Sequence, residues 1–142
     1  MRYLVLAFVL TFAILLSGCQ SASPAPPVPA PTERRQATGD GLWEIVLTTD
    51  PDPIPSNEHF HVSLTLVPKT KDAGPRPEIE AVDAYMPDHR HGMRTQPRFV
   101  KGADGRYRAE GLLFHMSGYW EIFVAVKTAR GQEGLVFPVT LE

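Results

Sequence analysis

Hydrophobic and polar residues alternate with a period of two along the chain from about residue 41 onward. Residues 59–66 read HFHVSLTL, so the apolar side chains share one face of an extended strand and the polar side chains share the other. The segment after Gly118 has the same period, with apolar residues at every second position from Trp120 to Val126. This region shows no helical period. The pattern therefore predicts strands that each bury one face.

Seven such segments follow one another, and clusters of Gly, Pro, Asn and Asp separate them. This spacing, about one strand every 8 to 14 residues, is typical of an all-β sandwich. We predict an immunoglobulin-like antiparallel β-sandwich of about seven strands, without the Cys-Trp-Cys pattern of antibody domains. The predicted strands are Leu42–Thr49, His59–Val67, Ile79–Met86, Pro97–Lys101, Arg106–Leu113, Tyr119–Thr128 and Leu135–Leu141.

The N-terminus has a different pattern. A positive start is followed by an apolar run from Tyr3 to Leu16. The run is shorter than the roughly 20 residues that cross a bilayer, and it is typical of a signal peptide. It ends in LSGC, which resembles the lipobox of bacterial lipoproteins, so we predict a signal peptide over residues 1–18 and lipidation of Cys19 by acyl chains such as palmitate. Cys19 is the only cysteine, so the rest of the chain has no disulfide and no thiolate ligand.

Residues 19–40 contain five prolines between Pro24 and Pro31, which favour an extended polyproline conformation. We predict a disordered linker here that holds a domain spanning residues 41–142 away from the membrane. Gln20 follows the lipidated cysteine, and by resemblance to Gram-negative lipoproteins this favours the periplasmic side of the outer membrane. In a Gram-positive organism the anchor would lie in the outer face of the only membrane. Either location is in the cell envelope.

Methionine and histidine concentrate in two short stretches of the predicted domain, MPDHRHGM at residues 86–93 and HM at residues 115–116. Copper(I) prefers thioether sulfur and imidazole, and a site without cysteine must use these donors. We therefore predict a copper site, with copper(I) favoured. Zinc or copper(II) bound by three histidines and Asp88 is an alternative, and so is no metal at all. The candidate ligands are Met86, His89, His91, Met93, His115 and Met116.

Each candidate also has a structural interpretation. Strand parity places Met86 on the apolar face of its segment, so core packing is its expected role. Met116 can equally plug the end of the sandwich. His115 can be an ordinary histidine at the rim of the sandwich. Met93 lies in a polar stretch where nothing nearby makes it core, which favours a ligand role.

Other chemistry has little support in the sequence. His59 and His61 share a strand face with Ser63 and Thr65, so a solvated face is expected there rather than a second metal site. The chain has no GxSxG, phosphate-loop, HExxH or CxxC motif, so we expect no enzyme. The basic residues between Arg90 and Arg108 lie in a domain with more acidic than basic residues, so we expect no nucleic-acid partner.

Four short motifs follow one another in the predicted domain: V-x-A-x-M-P from Val82, H-x-H-G-M from His89, G-x-Y from Gly105 and F-x-M-x-G-x-W from Phe114. Their order resembles the YtkA-like domain, a family close to the FixH-like group. These are small immunoglobulin-like β-sandwiches on secreted or membrane-tethered bacterial proteins, and the resemblance covers about Ile54 to Glu142. It implies a Met/His loop that binds metal, often copper. Asp88 and Arg90 stand where many relatives have Met or Gly, which leaves fewer sulfur ligands here.

Two functions follow from the sequence. The first is a lipid-anchored, monomeric copper-binding module of the cell envelope, which passes its metal to an envelope copper protein or to an efflux or oxidase component. The alternative is a metal-free periplasmic domain that docks onto another envelope protein through its loops or an edge strand.

Overall fold

The computed structural model describes residues 30–142. The expected signal peptide, Cys19 and the first part of the linker lie outside the described residues. Within residues 30–142 no helix is long and apolar enough to span a membrane. Nine strands form this region: β1 (Arg34–Ala37), β2 (Trp43–Asp50), β3 (His59–Pro68), β4 (Glu78–Met86), β5 (His91–Gly92), β6 (Arg98–Lys101), β7 (Tyr107–Leu113), β8 (Gly118–Thr128) and β9 (Gly131–Leu141).

The strands form two antiparallel sheets, with the order β1-β2-β3-β7-β6 in one and β5-β4-β8-β9 in the other. In the immunoglobulin arrangement, strands A, B, E and D form one sheet, and strands C, F and G form the other with C′ beside C. Here β2, β3, β7 and β6 take the places of A, B, E and D, and β4, β8, β9 and β5 take those of C, F, G and C′. The predicted antiparallel β-sandwich is confirmed.

The core lies between the two sheets and contains the rows that the alternation predicted. Phe60 and the next two apolar residues of β3 are fully buried, as are the four apolar residues of β8 from Trp120 to Val126. Three aromatic rings close one end of this core. Phe114 stacks on Trp120 with ring centroids 4.4 Å apart and meets the edge of Phe60 at 4.8 Å. Stacked and edge-to-face rings of this kind make a rigid base for the loops above them.

The structure corrects the predicted boundary of the linker. Arg34–Ala37, assigned from the sequence to the linker over residues 19–40, pairs with β2 in a continuous antiparallel register. The Thr38 hydroxyl donates to Asp40 at 2.6 Å, and the Arg35 guanidinium meets Glu44 at the same distance. The folded domain therefore begins before residue 41, at an edge strand whose charged sequence has no apolar alternation.

Candidate metal centre

The MPDHRHGM stretch forms a tight turn that folds back on its own strand. β4 ends at Met86, Pro87–His89 make one turn of 3-10 helix, and Arg90 takes the left-handed conformation with φ 55°. The chain then pairs with β4 again as β5, with His91 opposite Met86. The N–H of Met93 donates to the Ala84 carbonyl at 3.3 Å, which completes the reversal. This local geometry carries both histidines of the stretch to one end of the sandwich.

The second stretch, His115-Met116, connects β7 to β8 at the same end. The Trp120 indole N–H donates to the Met116 carbonyl at 3.0 Å. The Phe114 carbonyl accepts from the N–H of Asn57 at 2.8 Å. These two hydrogen bonds hold the connection on both sides, so the backbone that carries the candidate donors is well fixed.

The structure brings the two stretches together. The ring centroids of His91 and His115 are 5.0 Å apart, and those of His89 and His91 are 5.8 Å apart. Imidazole nitrogen binds zinc or copper at about 2.0–2.1 Å, so rings that share an ion stand with centroids about 5–6 Å apart. The buried Trp120 ring packs in edge-to-face geometry with both His91 and His115, at centroid distances of 5.8 Å and 5.7 Å. His91 and His115 therefore form a pair that packs against the core.

The Nδ1 atoms of the two rings have different surroundings. His91 Nδ1 lies 3.1 Å from the Gly92 carbonyl, which can only accept, so a hydrogen bond there is donated by Nδ1 and leaves Nε2 for another partner. His115 Nδ1 is buried and has no hydrogen-bond partner among residues 30–142. Burial lowers the pKa of His115 below its ordinary value, and the charges of Arg94 and His91 lower it further. Metal binding requires a neutral imidazole nitrogen, and the lowered pKa of His115 favours that form in its ring.

One sulfur lies beside the pair. The Met116 side chain is 36% exposed to solvent. It lines an open pocket of about 420 Å³ with the histidines of both stretches. The pocket residues are His89, His91, Gly92, Arg94, His115 and Met116. Arg94 was not predicted as a site residue. Its position directly after the candidate ligand Met93 is the feature of the sequence that could have indicated it.

The other two methionines are not part of this pocket. Met86 is 1% exposed and belongs to the core, as its strand parity predicted. Met93 is half-buried and packs against the same core. The expectation that Met93 has no apolar surroundings is wrong, because the turn after β4 brings it back against the core. Neither side chain lines the pocket, so the sulfur of Met116 is the thioether that the geometry offers.

Between residues 30 and 142 no group of three or more His, Cys, Asp or Glu side chains is placed to hold a metal ion. Asp88 does not line the pocket, and the alternative zinc site of three histidines and Asp88 stays a prediction. The donors that line the pocket are the imidazoles of three histidines and the Met116 thioether. Such a donor set suits a soft ion, because sulfur and imidazole without carboxylate select copper(I) over harder divalent ions.

The outer face of β3 carries the other two histidines. His59 and His61 share this face, and the register places Asp50 on one side of His61 and Glu110 on the other. These carboxylates could not be predicted in register from local sequence, because they come from two other strands. Arg108 already lies between them, 3.6 Å from Asp50 and 3.3 Å from Glu110. This face is therefore an ion-paired sheet surface, but the Nδ1 of His61 is buried in it and has no hydrogen-bond partner among residues 30–142.

Comparison with known proteins supports the fold. No family model and no curated protein matches the chain. Among solved structures, the crystal structure of a DUF4426 family protein from Pseudomonas aeruginosa PAO1 is similar, with a TM-score of 0.52 and 12% sequence identity. The match covers 77% of this chain and 94% of that one. At this identity the likeness shows the fold alone, and the resemblance to YtkA-like and FixH-like domains stays a prediction.

Proposed function

We propose that the protein is a copper(I)-binding module of the cell envelope, anchored through a lipidated Cys19. Its ligands are His91, His115 and Met116, and His89 lies at the rim of the site. The observation that carries the proposal is the meeting of two imidazoles from separate stretches beside one thioether. It is supported by the hydrogen bond at His91 Nδ1, which leaves Nε2 of that ring for a ligand, and by the buried His115 Nδ1, which has no hydrogen-bond partner among residues 30–142.

Copper(I) is favoured by the chemistry of the pocket. The donors are neutral and soft, and none of the residues that line the pocket is Asp or Glu. Hard ions such as magnesium or calcium require oxygen ligands, and zinc sites usually have four donors from His, Cys or carboxylate. A thioether beside two imidazoles is typical of copper.

A copper carrier is favoured over an enzyme because the candidate site is exposed to solvent. The site lies on the surface, and its sulfur ligand is partly in solvent. A partner can therefore approach the ion and complete its ligand set. We propose that the module passes copper to another envelope protein, such as an oxidase or efflux component, and that it catalyses no reaction itself.

The test is a competition titration against a chromogenic copper(I) chelator under anaerobic, reducing conditions. The protein is the chain from residue 19 with Cys19→Ser, because an unlipidated thiol binds copper(I) by itself. We expect one copper(I) per chain, bound more tightly than zinc. His91→Ala with His115→Ala should weaken binding at least tenfold, whereas the matched control His59→Ala with His61→Ala should not. Equal binding by both double variants, or no competition by the unmutated protein, contradicts the proposal.

The alternative function is a metal-free docking domain, and one observation favours it. Met116 and Tyr119 are among the exposed large hydrophobic residues, and both lie at the end of the sandwich that carries the histidines. Exposed apolar and aromatic side chains of this kind are common in protein interfaces. Failure of the titration above would leave this function in its place.

A further inference from the structure

A positively charged side chain lines the pocket together with the neutral donors. Arg94 lines it together with the three histidines and Met116, and no carboxylate does so. None of the ion pairs found in residues 30–142 includes Arg94, whereas Arg98 and Arg108 each have a carboxylate partner. Arg34, Arg76, Arg90 and Arg130 also have no ion-pair partner among the described residues, but of these arginines Arg94 is the one that lines the candidate site.

The charge of Arg94 lies in the same pocket as the proposed ligands. A copper(I) ion held by two imidazoles and a thioether would keep its full positive charge, since all three donors are neutral. Two like unit charges about 4 Å apart weaken binding by about fivefold even in bulk water.

Resting on the proposed function, we propose that this pocket takes copper(I) together with a soft anionic donor, a halide or a thiolate, and that Arg94 is the partner of that anion. The anion would neutralise both the ion and the guanidinium, which removes the repulsion between them. A free halide and the cysteine of a transfer partner share this chemistry. Arg94 thus binds the anionic donor, a role that neither copper ligation nor the fold requires of it.

The experiment uses the same Cys19→Ser chain and compares matched buffers of sodium bromide and sodium nitrate at equal ionic strength. Bromide binds free copper(I), so each comparison is between variants in the same buffer. Arg94→Gln should bind copper(I) as tightly as the unmutated protein or more tightly in nitrate, and about fivefold more weakly in bromide. Arg98→Gln removes the same charge outside the pocket and should follow the unmutated protein in both buffers.

X-ray absorption at the copper edge then identifies the bound anion. One arm contains bromide, and the other contains N-acetylcysteinamide as the thiolate probe. Bromine or an additional sulfur in the copper shell of the unmutated protein, but not of Arg94→Gln, supports the inference, and the successful arm identifies the source. If neither donor enters, or if both enter the two proteins equally, the inference is wrong. If the unmutated protein binds no copper(I) in either nitrate or bromide, the proposed function itself is contradicted.

Discussion

Met86 and Met116 have the same side chain in opposite environments. Met86 is 1% exposed in the core, and Met116 is 36% exposed in the candidate pocket. Burial of an unbranched apolar side chain contributes to stability, whereas a surface thioether contributes mainly through what it binds. The two residues therefore offer a matched pair of substitutions that separates packing from metal binding.

We expect Met86→Ala to lower the free energy of unfolding by about 2–5 kcal/mol, because it leaves a cavity in a packed core. Met116→Ala should change it by less than about 0.5 kcal/mol but should weaken copper(I) binding. Urea unfolding and chelator competition on both variants measure the two effects. A large loss of stability in Met116→Ala, with copper binding unchanged, would mean that this methionine is a structural plug.

The same residues show what local sequence can and cannot predict about a site. Parity along β4 was enough to place Met86 in the core, because its neighbours in sequence are also its neighbours on the sheet face. Met93 was misjudged because the turn after β4 brings it against the core, which its polar neighbours in sequence do not show. The carboxylates beside His61 were missed because they lie on two other strands. Contacts made across strands have no local signal in the sequence.

At the scale of elements, the seven strands that bury one face were predicted within a few residues of their bounds. β1 and β5 were missed. Both are short edge strands that depend on backbone pairing with a neighbour, so neither has an apolar row that a pattern can reveal. Edge strands of this kind still matter for stability, because they cover backbone groups of the next strand.

β1 gives the second prediction. A fragment of residues 38–142 keeps every other strand but loses the four backbone pairs between β1 and β2 and the ion pair of Arg35 with Glu44. We expect it to fold as an all-β monomer that is about 1–3 kcal/mol less stable than residues 30–142, because several backbone hydrogen bonds are lost.

Urea unfolding of the two fragments, followed by circular dichroism, measures the difference. The control is a fragment of residues 34–142, which keeps β1 and should lie within about 1 kcal/mol of the longest form. Equal stability for all three fragments would show that β1 adds nothing to the domain and that the linker effectively extends to residue 37. A spectrum dominated by helix would contradict the fold.

At the scale of the whole molecule, we expect the protein to be held at a membrane by lipid on Cys19. Each buried methylene of an acyl chain contributes about 0.8 kcal/mol, and two or more chains anchor a protein stably. Cys19→Ala should therefore move the protein from the membrane fraction to the soluble fraction. Ser21→Ala, two residues further on, is the matched control and should leave it in the membrane. Retention of the Cys19→Ala protein in the membrane pellet would contradict the lipobox interpretation.

The topology of the sandwich also connects metal binding to stability. The turn after β4 and the connection between β7 and β8 are separated in sequence and meet only in the folded domain. A ligand that needs both stretches binds the folded state and not the unfolded chain, so it must raise the free energy of unfolding. At a free copper(I) concentration one hundred times the dissociation constant, the expected increase is about 2.7 kcal/mol.

Thermal unfolding with and without buffered copper(I) measures this coupling. The Cys19→Ser chain without further substitutions should melt at a higher temperature with copper(I). The same chain with His91→Ala and His115→Ala should not. His59→Ala with His61→Ala should retain the increase, because those residues lie on the outer face of β3 away from the pocket. If copper(I) raises the melting temperature of the first double variant as much as that of the unmutated chain, the ion binds elsewhere. A stretch that the two proteins share, and not the His91–His115 pair, would then be the metal site.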